Sequence, residues 1–380
     1  MNKYRPTDEQ ISKLPSVEQM VDDKPKFDIE NAAAVAPDEI KFLWKPYLLR
    51  GDVNIVAAEG GTGKTFALCG IVAEISRGRV PMNAFEQGAP MKTLFISSED
   101  PAFILRERFE KAGADLGMVD ILDAEKSINL TLSDGQARPD MTDLESIIKV
   151  SKPDIIVIDP FQAFVGADVE MTKQNQIRPF MQAIANLAKR HDLAVVAVMH
   201  ITKRSAGNNA NDAIMGSTDI VNASRSALRV IFDETGTNPN RRVIVHTKSN
   251  YAEYGQSVAF EIGEDGALNW CGYSGVTRKD METAARRNMS ISELLANREA
   301  NHKASMFVAD QIEDMAKEQT EKKRFYSFRE LEDLGIKGKS EIAPIVGELA
   351  RRGISIVFPT NGRWNNEQKK VERGIELVKH

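Results

Sequence analysis

Cysteine is scarce: Cys69 and Cys271 are the only two in 380 residues. They lie too far apart for metal-ligand spacing, so they are expected to be small buried hydrophobes in a reducing compartment. No apolar run approaches the ~18 residues that a membrane-spanning helix needs. The start, Met1 to Asp8, has no apolar segment of the kind a secretory signal requires. A cytoplasmic protein without membrane contact is therefore expected. An excess of one charge is also missing, since 50 Lys and Arg stand against 55 Asp and Glu. Any nucleic-acid contact must then come from a local basic patch rather than from bulk charge. Internal repeats and low-complexity tracts are absent, which excludes a repeat array. What remains is ordinary globular composition, 42% apolar and 28% charged, in a chain long enough for one large domain and a smaller one.

The most informative segment is Val53–Phe66. It reads as a buried strand, a glycine-rich loop and the start of a helix. Gly60, Gly61 and Gly63 let the backbone curl so that amide N–H groups converge on phosphate oxygens. Lys64 supplies a charge for β- and γ-phosphates, and the Thr65 hydroxyl is a ligand for Mg²⁺. The positive end of the following helix adds to the site. Glu59, Gly60, Gly61, Thr62, Gly63, Lys64, Thr65 and Phe66 are the expected nucleotide contacts, with ATP and Mg²⁺ as cofactors. The pattern G-x-x-x-x-G-K-[ST] is met except at its first position, where Ala58 stands; alanine fits there if its φ is negative.

From Asp52 onward, apolar runs alternate with helical patterns. Strands are expected at Val53–Ala57, Thr93–Ser97, Ile155–Ile158 and Ala194–Met199, and helices near Thr65–Ser76, Pro101–Ala112, Thr142–Val150 and Asn175–His191. The alternation predicts an α/β core with a mainly parallel sheet, and ligands then bind at the carboxyl ends of its strands. Ala227–Phe232, Arg242–Thr247 and Ser257–Ile262 read as antiparallel strands that extend this sheet. Four segments are expected: a flexible arm (1–40), the core (41–274), a linker (275–289) and a C-terminal domain (290–380). In the last, Ser290–Lys317 reads as helical. Two short helices, the first capped by Ser327 and the second by Ser340, would precede a β-wing at Ile354–Phe358 and Gly362–Trp364, as in a winged helix. The aromatic lead-in Phe42–Arg50 either covers a sheet edge or packs beside adenine, and covering the edge is the simpler expectation.

Several polar residues stand at expected strand tips. Asp159 closes Ile155–Ile158 and is placed to hold the Mg²⁺ water shell. Glu99, just past Thr93–Ser97, is placed as the base that orients water. His200 ends Ala194–Met199, where it can sense the γ-phosphate. The polar segment 201–218, with Lys203 and Arg204 at its start, suits contact with a nucleic-acid backbone. No arginine near the loop stands out as a transition-state partner, so Arg225 or Lys248 could supply that cation in trans. Lys337, Lys339, Arg351 and Arg352 leave the C-terminal domain open between DNA and a protein partner, because glutamates are interspersed.

Six ordered motifs then resemble the RecA-like hexameric ATPases, and within them the RepA-type plasmid replicative helicases. They are Ala58–Thr65, Ser97–Asp100, Val157–Asp159, Met199–His200, Gly216–Arg225 and Lys248–Tyr251, within roughly residues 42–265. The resemblance implies a six-membered ring of identical subunits that moves on single-stranded DNA; the departures from the family are Ala58 and the appended C-terminal domain, which a minimal helicase of this type lacks. It makes Glu99 the base, His200 the sensor and Arg225 the arginine finger. A non-translocating regulatory or loader ATPase is the alternative.

Overall fold

The computed structural model describes residues 31–36, 39–123, 141–165, 173–201, 218–235, 238–287, 289–334, 336–359, 363–365 and 370–379. It divides into two units, Met1–Ile40 and Lys41–His380. Most of the expected arm, and Lys203 and Arg204, lie outside the described residues.

The second unit opens with a small hairpin, β1 (Phe42–Trp44) and β2 (Leu48–Leu49). The strand β3 (Val53–Ala58), the helix α1 (Lys64–Ser76) and the hairpin β4 (Arg79–Val80) and β5 (Asn83–Gln87) follow. Next come β6 (Thr93–Ser97), α2 (Ala102–Ala112), β7 (Val119–Asp123), α3 (Thr142–Ser151), β8 (Ile155–Asp159), α4 (Gln174–Arg190) and β9 (Ala194–His200). The helix α5 (Thr218–Ala223) leads into β10 (Ser226–Phe232), β11 (Arg241–Ser249), β12 (Ser257–Ile262) and β13 (Leu268–Ser274).

These strands form one nine-stranded sheet in the order β13-β12-β11-β10-β3-β9-β8-β6-β7. The stretch from β10 to β7 is parallel, and β11 to β13 add antiparallel. The α/β core with a mainly parallel sheet thus stands as expected. Two details differ: β10 pairs parallel with β3 rather than antiparallel, and β7 and β13 join as edge strands. Both edge strands mix polar residues among the apolar ones, which hides them among loop signals, whereas β3, β6, β8 and β9 are largely apolar runs.

Helices cover both faces. One face buries Ile55, Ile156, Phe161, Phe180 and Ile184; the other buries Val56, Leu68, Phe95, Phe109 and Phe260. Each such side chain, taken fully out of water, contributes about 1.5–3 kcal/mol. The lead-in aromatics join the second face, with Trp44 and Tyr47 buried and their rings 4.2 Å apart. The Tyr47 hydroxyl donates to the Gln256 carbonyl at 2.6 Å. They cover the sheet and do not face a nucleotide. Cys69 is buried as expected, but Cys271 is only partly so.

The expected linker is not a loop. Residues Arg278–Arg287 form the helix α6, begun by a reciprocal cap in which the Asp280 N–H donates to Thr277 Oγ1 and the Thr277 N–H to Asp280 Oδ2. Met281 packs against Val243 and Val245 of β11. Its six charged residues disguise this apolar face. The long helix α7 (Ile291–Glu318) starts at the capping box of Ser290 and Glu293. Then come β14 (Lys323–Ser327), α8 (Lys339–Ile342), α9 (Val346–Arg351), β15 (Ile354–Val357), the hairpin β16 (Arg363–Asn365) and β17 (Lys370–Glu372), and β18 (Gly374–Lys379). A three-stranded sheet in the order β14-β18-β15 places the last strand centrally. Helix, strand, helical turns, strand, hairpin, strand is winged-helix connectivity. The first short helix is reduced to a 3₁₀ turn at Glu332–Leu334, and α8 starts after Gly338, one residue ahead of Ser340. Among the described residues no helix is long and apolar enough to cross a membrane.

Candidate nucleotide site

The loop between β3 and α1 has the backbone that its glycines anticipate. Gly61 and Gly63 take φ of 75° and 95°, a left-handed region costly for other residues. A Cβ on Gly63 would also lie 2.9 Å from Ile262 Cδ1. Ala58 is the last residue of β3, fully buried and without positive φ, so the departure from glycine is accommodated. The Thr62 hydroxyl donates to the Glu59 carbonyl at 2.8 Å, and Arg242 Nε donates to the Thr62 carbonyl at 3.3 Å. The loop is therefore fastened from within and from β11. Lys64 is the first residue of α1 and only 6% exposed.

Three neighbouring strand tips converge on this loop. Thr65 Oγ1 donates to Asp159 Oδ2 at 3.0 Å. Lys64 Nζ lies 3.2 Å from His200 Nδ1, and His200 Nε2 lies 2.7 Å from Glu99 Oε1. An ammonium can only donate, so Nδ1 of a neutral ring accepts and Nε2 carries the proton toward Glu99. The structure thus joins Glu99, His200 and Lys64 in a chain, beside the Thr65–Asp159 pair. Register explains the convergence: Ser97 is level with Asp159, and Ala58 with His200.

Asp159 is 1% exposed, and its Oδ1 has no hydrogen-bond partner. Burial raises its pKa, opposed by the Thr65 hydrogen bond and the Lys64 charge. A hydroxyl and an orphaned carboxylate oxygen are hard donors that suit Mg²⁺. Among the described residues no group of three or more His, Cys, Asp or Glu could hold a metal by itself. A cation here would therefore complete its shell with phosphate and water oxygens.

The sequence reading missed Arg108. Its guanidinium lies 4.9 Å from the Phe66 ring centre and pairs with Asp100, bringing a second cation beside the loop. The only signal was its position on α2, two turns beyond Asp100. Asp100 is thus an ion-pair partner as well as the residue ahead of the helix.

This geometry suits a nucleoside triphosphate. The mainly parallel sheet with this loop at its strand tips is a P-loop core of RecA-like fold. A family model described as an AAA domain matches residues 21–206. Among solved structures, a KaiC-like protein from Pyrococcus horikoshii OT3 is similar at 16% identity, over 59% of this chain and 91% of that one, with a TM-score of 0.40. No curated protein matches the chain.

The two remaining site candidates lie at the opposite ends of the strands. Arg225 precedes β10, whose Ser226 is level with Asn54 near the start of β3. Four residue steps of strand, about 13 Å, separate that level from Ala58. Arg225 is held loosely: its Nε is 3.6 Å from Asp52 Oδ2, and the Tyr251 ring centre lies 5.8 Å from its guanidinium. It opens onto a cleft of about 420 Å³ also lined by Asp52, Arg178, Lys189 and Tyr251. Lys248 differs. Its Nζ donates to the carbonyls of Val221, Asn222 and Ser224 at 2.6, 2.8 and 2.7 Å. All three donors of the ammonium are thereby used within its own chain in this structure. Burial pulls its pKa down to about 8, and the three carbonyls favour the charged form.

Proposed function

We propose that this ATPase hydrolyses Mg-bound ATP at sites completed by a neighbouring protomer in a ring, probing single-stranded DNA as a RepA-type helicase or translocase. The observation that carries the reading is the position of Arg225, at the opposite end of the strands from Lys64, Thr65, Asp159, Glu99 and His200. A cation that cannot reach its own nucleotide is suited to reach that of the next copy.

Within one protomer the roles follow from the contacts. The loop N–H groups and Lys64 bind phosphates, and Thr65 with Asp159 would hold Mg²⁺, which supplies charge neutralisation on the phosphate oxygens when bound. Glu99 accepts a proton from the attacking water and orients it. Without nucleotide, Lys64 is held by His200. A γ-phosphate competes for the ammonium, and His200 Nδ1 loses its donor while Nε2 still bonds Glu99. Occupancy is thus converted into a changed hydrogen-bond state at the tip of β9, from which the chain runs toward Lys203 and Arg204.

The alternative, a regulatory or loader ATPase without translocation, is favoured by one observation in the C-terminal domain. Arg352 spends its guanidinium on Asp310, Glu313 and Glu348, and Arg351 pairs with Glu348. The helix of this winged fold that would face DNA thus has its arginines engaged internally, which suits a protein partner better. Sedimentation with and without ATP and single-stranded DNA, paired with ATP turnover, tests the main reading; a monomer that ignores ATP would refute it. Unwinding of a forked duplex separates motor from switch.

A further inference from the structure

We propose that Lys248 is the positioning residue for Arg225: it fastens the three carbonyls just ahead of the arginine and so sets where the guanidinium is presented. The proposal rests on the reading of Arg225 as a cation acting in trans.

The last carbonyls of a helix have no intrahelical partner. Val221 and Asn222 stand in the last turn of α5, and Ser224 is the first residue beyond it. The three N–H groups of one ammonium meet these three carbonyls at 2.6–2.8 Å. A positive charge at a helix C-terminus is also electrostatically favoured. The same turn is tightened by Ser224 Oγ, which donates to the Val221 carbonyl at 2.8 Å.

The backbone of Arg225 is fixed on both sides. Its N–H donates to the Val53 carbonyl at 3.2 Å, and its carbonyl accepts from the Asn250 N–H at 3.1 Å. Lys248 and Asn250 both come from the end of β11, so that one strand end grips the chain before and at the arginine. Asp52 and Tyr251 then leave the guanidinium near the cleft without enclosing it.

A bulge makes the grip geometrically available. Ala227 pairs with Lys248 but Leu228 pairs with His246, so one extra residue, Thr247, is inserted in β11. Side chains alternate faces along a strand, and without the insertion Lys248 would share the face of His246. His246 lies against Tyr47, on the face that buries Val56 and Phe260. Lys248 instead reaches the end of α5, whose Ile220 and Val221 pack on the opposite face. The bulge transfers the lysine from one face to the other.

Lys248 cannot leave this place to touch a neighbour's phosphate without breaking three hydrogen bonds to carbonyls. Its effect on turnover must therefore pass through Arg225. The test compares the full-length protein with Lys248→Met, Arg225→Ala and the double variant, measuring kcat and KM for ATP, with thermal melting as a check on folding. Lys248→Met is expected to lower kcat by about 10- to 100-fold with KM changed less than about threefold, because the phosphate loop is untouched. The double variant should turn over no more slowly than Arg225→Ala alone. Multiplied losses in the double variant, or wild-type turnover in Lys248→Met, would overturn the proposal.

The unmodified protein gives a second measurement if Lys248→Met does not fold. Under an amine-acylating reagent read by mass spectrometry, Lys248 should label more slowly than exposed Lys303, with and without ATP. Labelling as fast as Lys303 would overturn the clamp. Wild-type protein without ATP turnover would remove the ATPase reading instead, and the labelling result would still decide on the clamp.

Discussion

His246 offers a perturbation whose size follows from the structure. It is 2% exposed on β11 and accepts the Gly255 N–H at Nδ1, 3.0 Å away. Its Nε2 therefore carries the proton and donates to Ser226 Oγ at 3.1 Å, and that hydroxyl donates to the Tyr47 carbonyl at 2.6 Å. Burial of this neutral ring lowers its pKa from 6.5 to about 4. The folded protein thus resists a proton that the unfolded chain accepts. The stabilisation is complete above pH 6.5, declines as pH falls, and is exhausted near pH 4. Each pH unit in that window removes about 1.4 kcal/mol, on the order of 3 kcal/mol in total. The assay is denaturant unfolding of wild type and His246→Asn between pH 4.5 and 7.5. Asparagine keeps an acceptor for Gly255 but does not titrate, and other titrations cancel in the difference. The stability advantage of wild type should shrink steadily as pH falls below 6.5. A pH-independent difference, or an NMR titration of His246 near 6.5, would refute the reasoning. Because Ser226 adjoins Arg225, the same acidification should also loosen the strand start that carries Arg225.

Further expectations concern the nucleotide site. Lys64→Ala should weaken ATP binding severely, by at least about tenfold in Kd for a lost charged hydrogen bond, and calorimetry showing unchanged affinity would exclude its role. Glu99→Gln should bind ATP normally yet lose about 10²–10⁴-fold in turnover, the usual contribution of a general base; normal turnover would remove it from the mechanism. Arg225→Ala should turn over slowly but measurably alone and regain activity when mixed with Lys64→Ala protein, because each supplies what the other lacks. No recovery in co-assembled mixtures would count against action in trans. Asp159→Asn should raise the melting temperature of the nucleotide-free protein by removing a buried charge, while abolishing Mg-stimulated turnover; a lower melting temperature would contradict the burial argument.

The AAA domain match over residues 21–206 spans the strand tips that carry Glu99, Asp159 and His200. Much of the core was legible because its signals are local. A continuous apolar run bounded by turns marks a buried parallel strand, as in β6 and β8. Segments whose apolar face is narrow escaped: α6 looks like a charged linker until Met281 finds β11, and the edge strand β7 has neighbours on one side only. Arg108 escaped for another reason, since nothing in its spacing shows that α2 folds back over Phe66.

The sequence by itself determined the strand, loop and helix of Val53–Ser76, because glycine backbone freedom, a lysine and a threonine act within a few residues of one another. It also determined that Glu99, Asp159 and His200 end strands. Only the tertiary structure decided that those three tips stand side by side, since strand order is set by packing between segments far apart in the chain. It alone separated Arg225 from Lys248. Their spacing makes them equivalent cations, but a one-residue bulge turns the lysine onto the carbonyls of α5 and leaves the arginine at the open edge.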